Sequence, residues 1–358
     1  MSIVDIHTHV YPPSYMEILR SRTNVPYVRT FPPDPIPRLL VLPGEDGPTS
    51  TSTSRGRPIG PEYYSIEHKI AFMDAHEIDI SVISLANPWL DIVEPSEAAQ
   101  RACEINDEMN SMCLQYPGRL FMFGALPLKG TLEETVLEIK RLRGLSCVRG
   151  VVMGTGGLGN GLDDQKLDAV YAALQEEELT VFLHPHYGLP AEVYGPRAAE
   201  YGHVLPLALG FPLETTIGVS RMILSGVFDR HPTLSILLAH SGGTLPFLAG
   251  RLESCIAHDL HLAAGPVRRN IWDVLAKNIL LDAVIYSSVG LKAAVAVAGA
   301  DRVLFGTDHP FFPPMNPGGQ GWLSVTMNYD AVSAAFGDSA EAKGILGGNA
   351  VKLLRLEL

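Results

Sequence analysis

The sequence predicts an α/β fold, a (β/α)8 TIM barrel with an insertion after its first strand, on three observations. Short aliphatic and β-branched runs alternate with longer segments of helical periodicity along the whole chain, as a parallel sheet with crossover helices requires. Eight such runs can be counted, the number that closes a barrel. Four of them end in histidine or aspartate, at the strand ends where these barrels carry their chemistry.

In order, the runs are Ser2–Ile6, Ile78–Leu85, Leu120–Gly124, Cys147–Met153, Thr180–Leu183, Leu234–Ala239, Ile279–Leu281 and Val303–Phe305. Each is short and rich in Val, Ile, Leu or Phe, which marks a buried strand rather than a helix. Between them, apolar residues recur three and four apart over Glu97–Tyr116, Leu132–Arg143, Gln165–Glu178, Glu214–Phe228 and Leu291–Ala298, which predicts helices. Tyr11–Pro61 is rich in Pro, Ser, Thr and Gly and keeps neither period. It reads as an excursion inside a single domain spanning 1–358, placed either to cover the pocket or to decorate the surface and meet another subunit.

Composition narrows the function. With 46% hydrophobic and 18% charged residues, the chain can bury a large core and is not a disordered tail. A net charge of −12 argues against nucleic acid and anionic membranes as partners, since both need basic patches; a small molecule is expected instead. Cys103, Cys113, Cys147 and Cys255 form no C-x-x-C pair, so reduced thiols are expected rather than a zinc ribbon or redox site. No leader and no run of ~18 apolar residues is read, and the expectation is a soluble cytoplasmic protein.

The first run closes in Asp5-Ile6-His7-Thr8-His9, where side-chain alternation turns both imidazoles to one side of a strand. The fifth is followed by His184, Pro185 and His186, the sixth by His240 with Ser241, Gly242 and Gly243, and the eighth by Gly306-Thr307-Asp308-His309-Pro310. Any one of these is more often a core histidine or a helix cap. All of them on one face of a barrel point to a site for a hard or borderline cation such as Zn2+.

Other features carry less. Gly154–Gly159 satisfies G-x-G-x-x-G, but it falls in the fourth loop of a barrel series with no second doubly wound half, so a nicotinamide site is rejected. His68, His76, His203, His258 and His261 lack strand-end placement, and His231-Pro232 reads as the end of a helix. Glu133-Glu134 and Glu176–Glu178 read as solvated helix faces. Trp89, Trp272 and Trp322 read as packing residues, of which only Trp89 stands close to a strand end.

The D-I-H-T-H opening, His184-Pro185, His240–Arg251, Gly306–Pro310 and Gly347-Gly348-Asn349-Ala350 together resemble the amidohydrolase superfamily, in the branch of aminocarboxymuconate-semialdehyde decarboxylase. Ala86-Asn87-Pro88-Trp89, Gly210-Phe211-Pro212 and Asp308–Pro314 are similar to the isoorotate decarboxylases of thymidine salvage, which release CO2 from uracil-5-carboxylate. The resemblance implies an amidohydrolase-type barrel and a metal-dependent, non-oxidative decarboxylase with no organic cofactor. It implies His7, His9, His184 and Asp308 as metal ligands and His240 as a nearby acid/base. It further implies that Asn87, Arg251, Phe211 and Phe311 contact or sandwich the substrate, with Arg251 reaching a neighbouring subunit's site in a homodimer or homotetramer. Zn2+ is the implied cation, with Mn2+ as the alternative.

Two departures bear on this. Where binuclear relatives carry a bridging lysine or glutamate, this chain has Val151-Val152-Met153-Gly154, which favours one metal per subunit. His309 follows the aspartate where the family has serine or tyrosine, and its role is open between proton carrier and structural partner. Either Asp308 in its protonated form or His240 would deliver the proton that replaces the carboxylate. Alternatives are decarboxylation of an aromatic hydroxy acid or of aminocarboxymuconate semialdehyde, mononuclear hydrolysis of a lactone or amide, and a non-catalytic metal-binding scaffold.

Overall fold

The computed structural model describes residues 2–41, 45–47, 55–185, 188–265, 268–314 and 321–356, so His186 lies outside the described residues. Eight parallel strands follow one another in chain order around a barrel: Val4–Val10, Ile80–Leu85, Leu120–Ala125, Val148–Gly154, Thr180–His184, Ile236–Leu238, Ile279–Asp282 and Val303–Leu304. The seam between eighth and first strands is closed by Ile6 N–H to Phe305 O at 3.0 Å, Asp308 N–H to His7 O at 2.7 Å and His9 N–H to His309 O at 2.7 Å. All eight expected strands are present.

The first strand runs on to Val10 instead of stopping at Ile6. Its continuation has partners on both sides, pairing Thr8 with Ile83, His9 with Ser84 and Val10 with Leu85, and Thr8 with His309. His7 and His9 therefore sit inside a strand, with the rigidity of the ladder behind them, rather than beyond its end.

The helices follow the expected spacing with instructive differences. Leu132–Arg143 is a helix throughout, opened by a capping box in which Thr131 and Glu134 satisfy each other's backbone N–H groups. The expected helix 214–228 starts earlier, at Phe211, and stops at Leu224. Gly226, at φ +75°, turns the chain into the short helix Val227–Arg230. The segment expected as Gln165–Glu178 is a 3-10 turn, Gln165–Leu167, running into the helix Asp168–Glu176. Pro206–Leu224 is, by length and composition, apolar enough to cross a membrane, contrary to expectation. Here it packs as a barrel helix, burying Thr215, Gly218, Val219 and Met222.

Among its described residues the insertion carries more regular structure than its composition suggests. It holds the helix Pro13–Ser21 and a small antiparallel sheet of Tyr27–Arg29, Arg38–Leu40 and Arg57–Pro58. Strands of two or three residues are too short to display alternation in a sequence. Their stability comes from side chains instead: Tyr27, Phe31 and Leu40 form a separate apolar cluster, and Arg38 bonds Asp34 at 3.3 Å and the Gly56 carbonyl at 3.2 Å.

Candidate metal centre

The first strand points His7 and His9 inward, the end of the fifth supplies His184, and the turn after the eighth supplies Asp308. One potential ligand atom from each lies within 4.8 Å of the others. The three imidazole planes stand nearly perpendicular, at 88°, 84° and 89°, with ring centroids 5.0–5.2 Å apart. Asp308 Oδ1 is 3.4 Å from both His7 Nε2 and His9 Nε2.

Each imidazole is oriented by its other nitrogen. His7 Nδ1 donates to Asp282 Oδ2 at 2.6 Å, and His184 Nδ1 to the Pro185 carbonyl at 2.8 Å. His9 Nδ1 meets Ser84 Oγ at 3.0 Å while that hydroxyl donates to the Thr8 carbonyl. With Nδ1 committed in this way, Nε2 is the nitrogen that each ring presents to the common centre. All three Nε2 atoms are buried and lack a hydrogen-bond partner among the described residues, a cost that a fold does not carry three times at one point without return. Three imidazole nitrogens and a carboxylate fit a divalent cation.

The electrostatics agree. Burial pushes the Asp308 carboxyl up, but His7, His240 and His9 outweigh it and hold it well below the usual carboxylate range. Burial likewise depresses His7, and the Asp308 and Asp282 carboxylates overcome it, lifting the imidazole to about 10. His9 is lowered to about 4 and His184 well below its ordinary value, by burial first and by neighbouring imidazoles after it. Without a cation His7 thus keeps a second proton against the Asp308 and Asp282 carboxylates, and a cation would take that proton's place beside two neutral imidazoles.

His240 stands next to this group as expected, outside the four. Its Nε2 is 3.8 Å from Asp308 Oδ2, and its Nδ1 is buried without a partner among the described residues. His240, Ser241 and Asp308 hold left-handed backbone, at φ +53°, +52° and +59°, the strain that active sites tend to store.

Asp282 is the residue the sequence reading missed. Wholly buried, it accepts the His7 Nδ1–H and also the backbone N–H groups of His240 at 2.9 Å, Ser241 at 2.7 Å and Val284 at 3.1 Å. One carboxylate thus orients a ligand and fixes the strained turn that presents His240. Its signal was there, an aspartate closing the seventh strand just as ligands close theirs.

A second polar network clamps the barrel seam. Asp5 accepts the N–H groups of His7 and Thr307, each at 3.1 Å, and the Thr307 hydroxyl at 2.7 Å. The fully buried Lys69 reaches Thr8 Oγ1 and His309 Nδ1. His309 stacks on Phe72 at 3.7 Å and packs on Trp322 at 4.5 Å. These contacts give His309 a structural part at the seam.

Around the cluster, the Phe311 ring lies 5.4 Å from His9, and the Phe211 ring 6.4 Å from both His184 and His240. The two aromatic walls thus rise beside different strands. Trp89, buried, stands 6.0 Å from His184. Asn87 is half-buried at the end of the second strand, its carbonyl accepting from the Tyr11 hydroxyl. Arg251 is not brought to the cluster within one chain: it is exposed on the helix Leu245–His258. A cation that sequence reasoning did not single out comes from the insertion, since the Arg57 guanidinium lies 5.3 Å over the Phe311 ring. Nothing in its low-periodicity surroundings marked it. The Gly154–Gly159 loop precedes no helix directly, the next α-helix starting at Asp168, which agrees with rejecting a dinucleotide site.

The family described as Amidohydrolase matches residues 4–356. The crystal structure of Metarhizium anisopliae IDCase in apo form is similar at 56% identity with a TM-score of 0.96, covering 100% of this chain and 98% of that one. The 2-amino-3-carboxymuconate-6-semialdehyde decarboxylase of Dictyostelium discoideum is 28% identical over 308 residues, 84% of this chain and 79% of that protein. The gamma-resorcylate decarboxylase of a Rhizobium species is 28% identical over 286 residues, 74% of this chain and 85% of that protein.

Proposed function

The chain belongs to the amidohydrolase family, and from that premise we propose that it is a metal-dependent, non-oxidative decarboxylase converting uracil-5-carboxylate (isoorotate) to uracil and CO2. The observation that carries the reading is the convergence of three Nε2 atoms, unpartnered among the described residues, and the Asp308 carboxylate beside His240. The similarity to IDCase over the whole chain supports uracil-5-carboxylate among the possible carboxylates. His7, His9, His184 and Asp308 would hold one cation, for which we assign Zn2+ on the strength of an imidazole-rich donor set.

When bound, a divalent cation supplies Lewis-acid stabilisation of negative charge on substrate oxygens. Phe211 and Phe311 bound the space beside the cluster with apolar faces suited to a planar ring. Arg57, over Phe311, brings a positive charge from the insertion toward an anionic substrate. We assign the proton to His240, because Asp308 would be engaged by the cation while His240 stands outside the four, its Nε2 3.8 Å from Asp308 Oδ2. Its Nε2, facing Asp308, delivers that proton to the ring carbon bearing the carboxylate. The C–C bond then breaks, CO2 departs, and the bonding pair returns to the ring to restore conjugation.

We further propose a homodimer. Phe247, 85% exposed, and the exposed Arg251 lie four residues apart on one helix face, and Leu260 beyond it is 87% exposed. Exposed apolar side chains near an exposed arginine in the sequence suit a second copy, to whose site Arg251 would be delivered.

The test is to follow CO2 and product together with uracil-5-carboxylate, 2,6-dihydroxybenzoate and aminocarboxymuconate semialdehyde on metal-loaded protein. A preference of 100-fold or more for uracil-5-carboxylate in kcat/KM is expected, on the order that missing polar contacts to a substrate impose. Ring opening or ester cleavage without CO2 would refute the decarboxylase reading.

A further inference from the structure

Tyr286 lies in the segment that leaves the seventh strand, on the same face of the barrel as the metal centre, and no motif drew attention to it. Its backbone is left-handed, at φ +57°, a conformation that L residues adopt only when something holds them there. The holder is Asn328, fully buried, whose Oδ1 accepts the N–H groups of Ile285 at 3.2 Å and Tyr286 at 2.9 Å. Asn328 is fixed in turn through Nδ2, which donates to the Ser324 carbonyl at 2.8 Å.

The side chain so positioned ends in a buried hydroxyl with no hydrogen-bond partner among the described residues. A phenol placed for packing alone would be better as phenylalanine, because burying an unpaired O–H forfeits its hydration. The hydroxyl also sits within the field of the site. Burial raises its pKa most, and the negative charges of Asp308 and Asp282 add to that rise, so the group remains a neutral donor. The ring stands 6.3 Å from Phe312, in the same turn that carries Asp308 and Phe311.

We infer that Tyr286 is a further substrate-contacting and specificity-determining residue, its phenol O–H donating to an acceptor oxygen of the bound ring. The ligand class is a planar carboxylate bearing a carbonyl or hydroxyl oxygen on the ring. The inference rests on the decarboxylase reading for its substrate, but its geometry does not depend on turnover.

Tyr286→Phe in the full-length, metal-loaded protein separates this from a packing role. The variant is compared with the parent for CO2 release from uracil-5-carboxylate, for calorimetric binding of uracil-5-carboxylate and uracil, and for thermal unfolding. The expected result is a kcat/KM at least about tenfold lower, carried mainly by KM and matched in the binding constants, with the melting temperature unchanged or raised because an unpaired buried O–H has gone. Binding and KM within twofold of the parent would overturn the inference. So would a fall of several degrees in melting temperature, whatever the kinetics, since it would reveal a structural partner for the hydroxyl. Should the parent bind these ligands but release no CO2, the decarboxylase reading fails and the binding comparison alone decides Tyr286. A parent that binds neither overturns both.

Discussion

The metal centre and the pocket wall are built on opposite terms. His7, His9 and His184 belong to strands held by neighbours on both sides, and each Nδ1 is tied before any cation arrives. Phe211, Phe311, Arg57 and Tyr286 come from a helix start, two loops and an insertion, and in this wall the Tyr286 Oη has no hydrogen-bond partner among the described residues. The difference separates two tasks. A cation needs ligands fixed in advance within a fraction of an ångström, whereas a substrate is selected by donors that only it can satisfy.

The largest expected effect strikes where the two regions meet. His240→Asn should leave the cation bound, because His240 stands outside the four ligands, while kcat falls by about 10²–10⁴, the usual worth of a general acid. Metal content by elemental analysis and steady-state CO2 release check this together. Loss of metal from this variant would move His240 into the centre and erase the distinction.

The next effect belongs to the strand-borne region alone, and it is read in chelated protein as stability against pH. His9 is held neutral by burial down to about 4, whereas an unfolded chain protonates its imidazole near its ordinary value of about 6.5. Between those values the unfolded state binds the extra proton, so stability is present above about 6.5 and is lost as pH falls toward 4. The loss from this group is on the order of 3 kcal/mol. His184 and His309, also depressed, act in the same direction. Burial raises the Asp5 and Asp91 carboxyls to about 6, which adds stability as pH falls over the same window, so the check is the difference in denaturant midpoint between the parent and His9→Asn. A difference that stays flat from about pH 6.5 to 4 would mean that the His9 imidazole is not sealed as described.

Asp282→Asn sharpens the comparison from behind the ligands. Losing the anionic acceptor of His7 Nδ1 should weaken metal binding by about 10–100-fold, the usual cost of removing such an orienting group. At saturating metal a drop in kcat should remain, because the same carboxylate holds the His240–Ser241 turn. Full recovery of kcat with excess cation would confine Asp282 to the metal.

How much of this was legible in the sequence follows the same division. Ligands and acid were readable because each terminates or lies within an apolar strand, and strand register turns sequence position directly into spatial position. Asp282 obeys that rule and was lost only because the seventh strand was ended one residue early, at Leu281. Lys69 and Asp5 were beyond reach, since what makes them matter is the seam where first and eighth strands meet, residues 302 positions apart in the chain. Arg57 lies on a strand of two residues, too short for any period, and it meets Phe311 only through the folding of the insertion.

Arg57 therefore offers the smallest but most selective prediction. Its guanidinium lies over Phe311 and touches no residue of the four-ligand group described above, so Arg57→Ala should leave metal affinity unchanged. If the insertion supplies the charge that draws in an anionic ring, KM for uracil-5-carboxylate should rise about tenfold, the scale of one charge-assisted contact of roughly 1.5 kcal/mol. Binding of uracil, which lacks the carboxylate, should change much less. Arg57→Lys should recover only part of the loss, because an ammonium keeps the charge but not the planar fork or its stacking on the aromatic ring. An equal loss for uracil and for its carboxylate would show that Arg57 holds the wall in shape, and would leave the recognition of charge to the arginine that one chain alone does not bring to the site, Arg251.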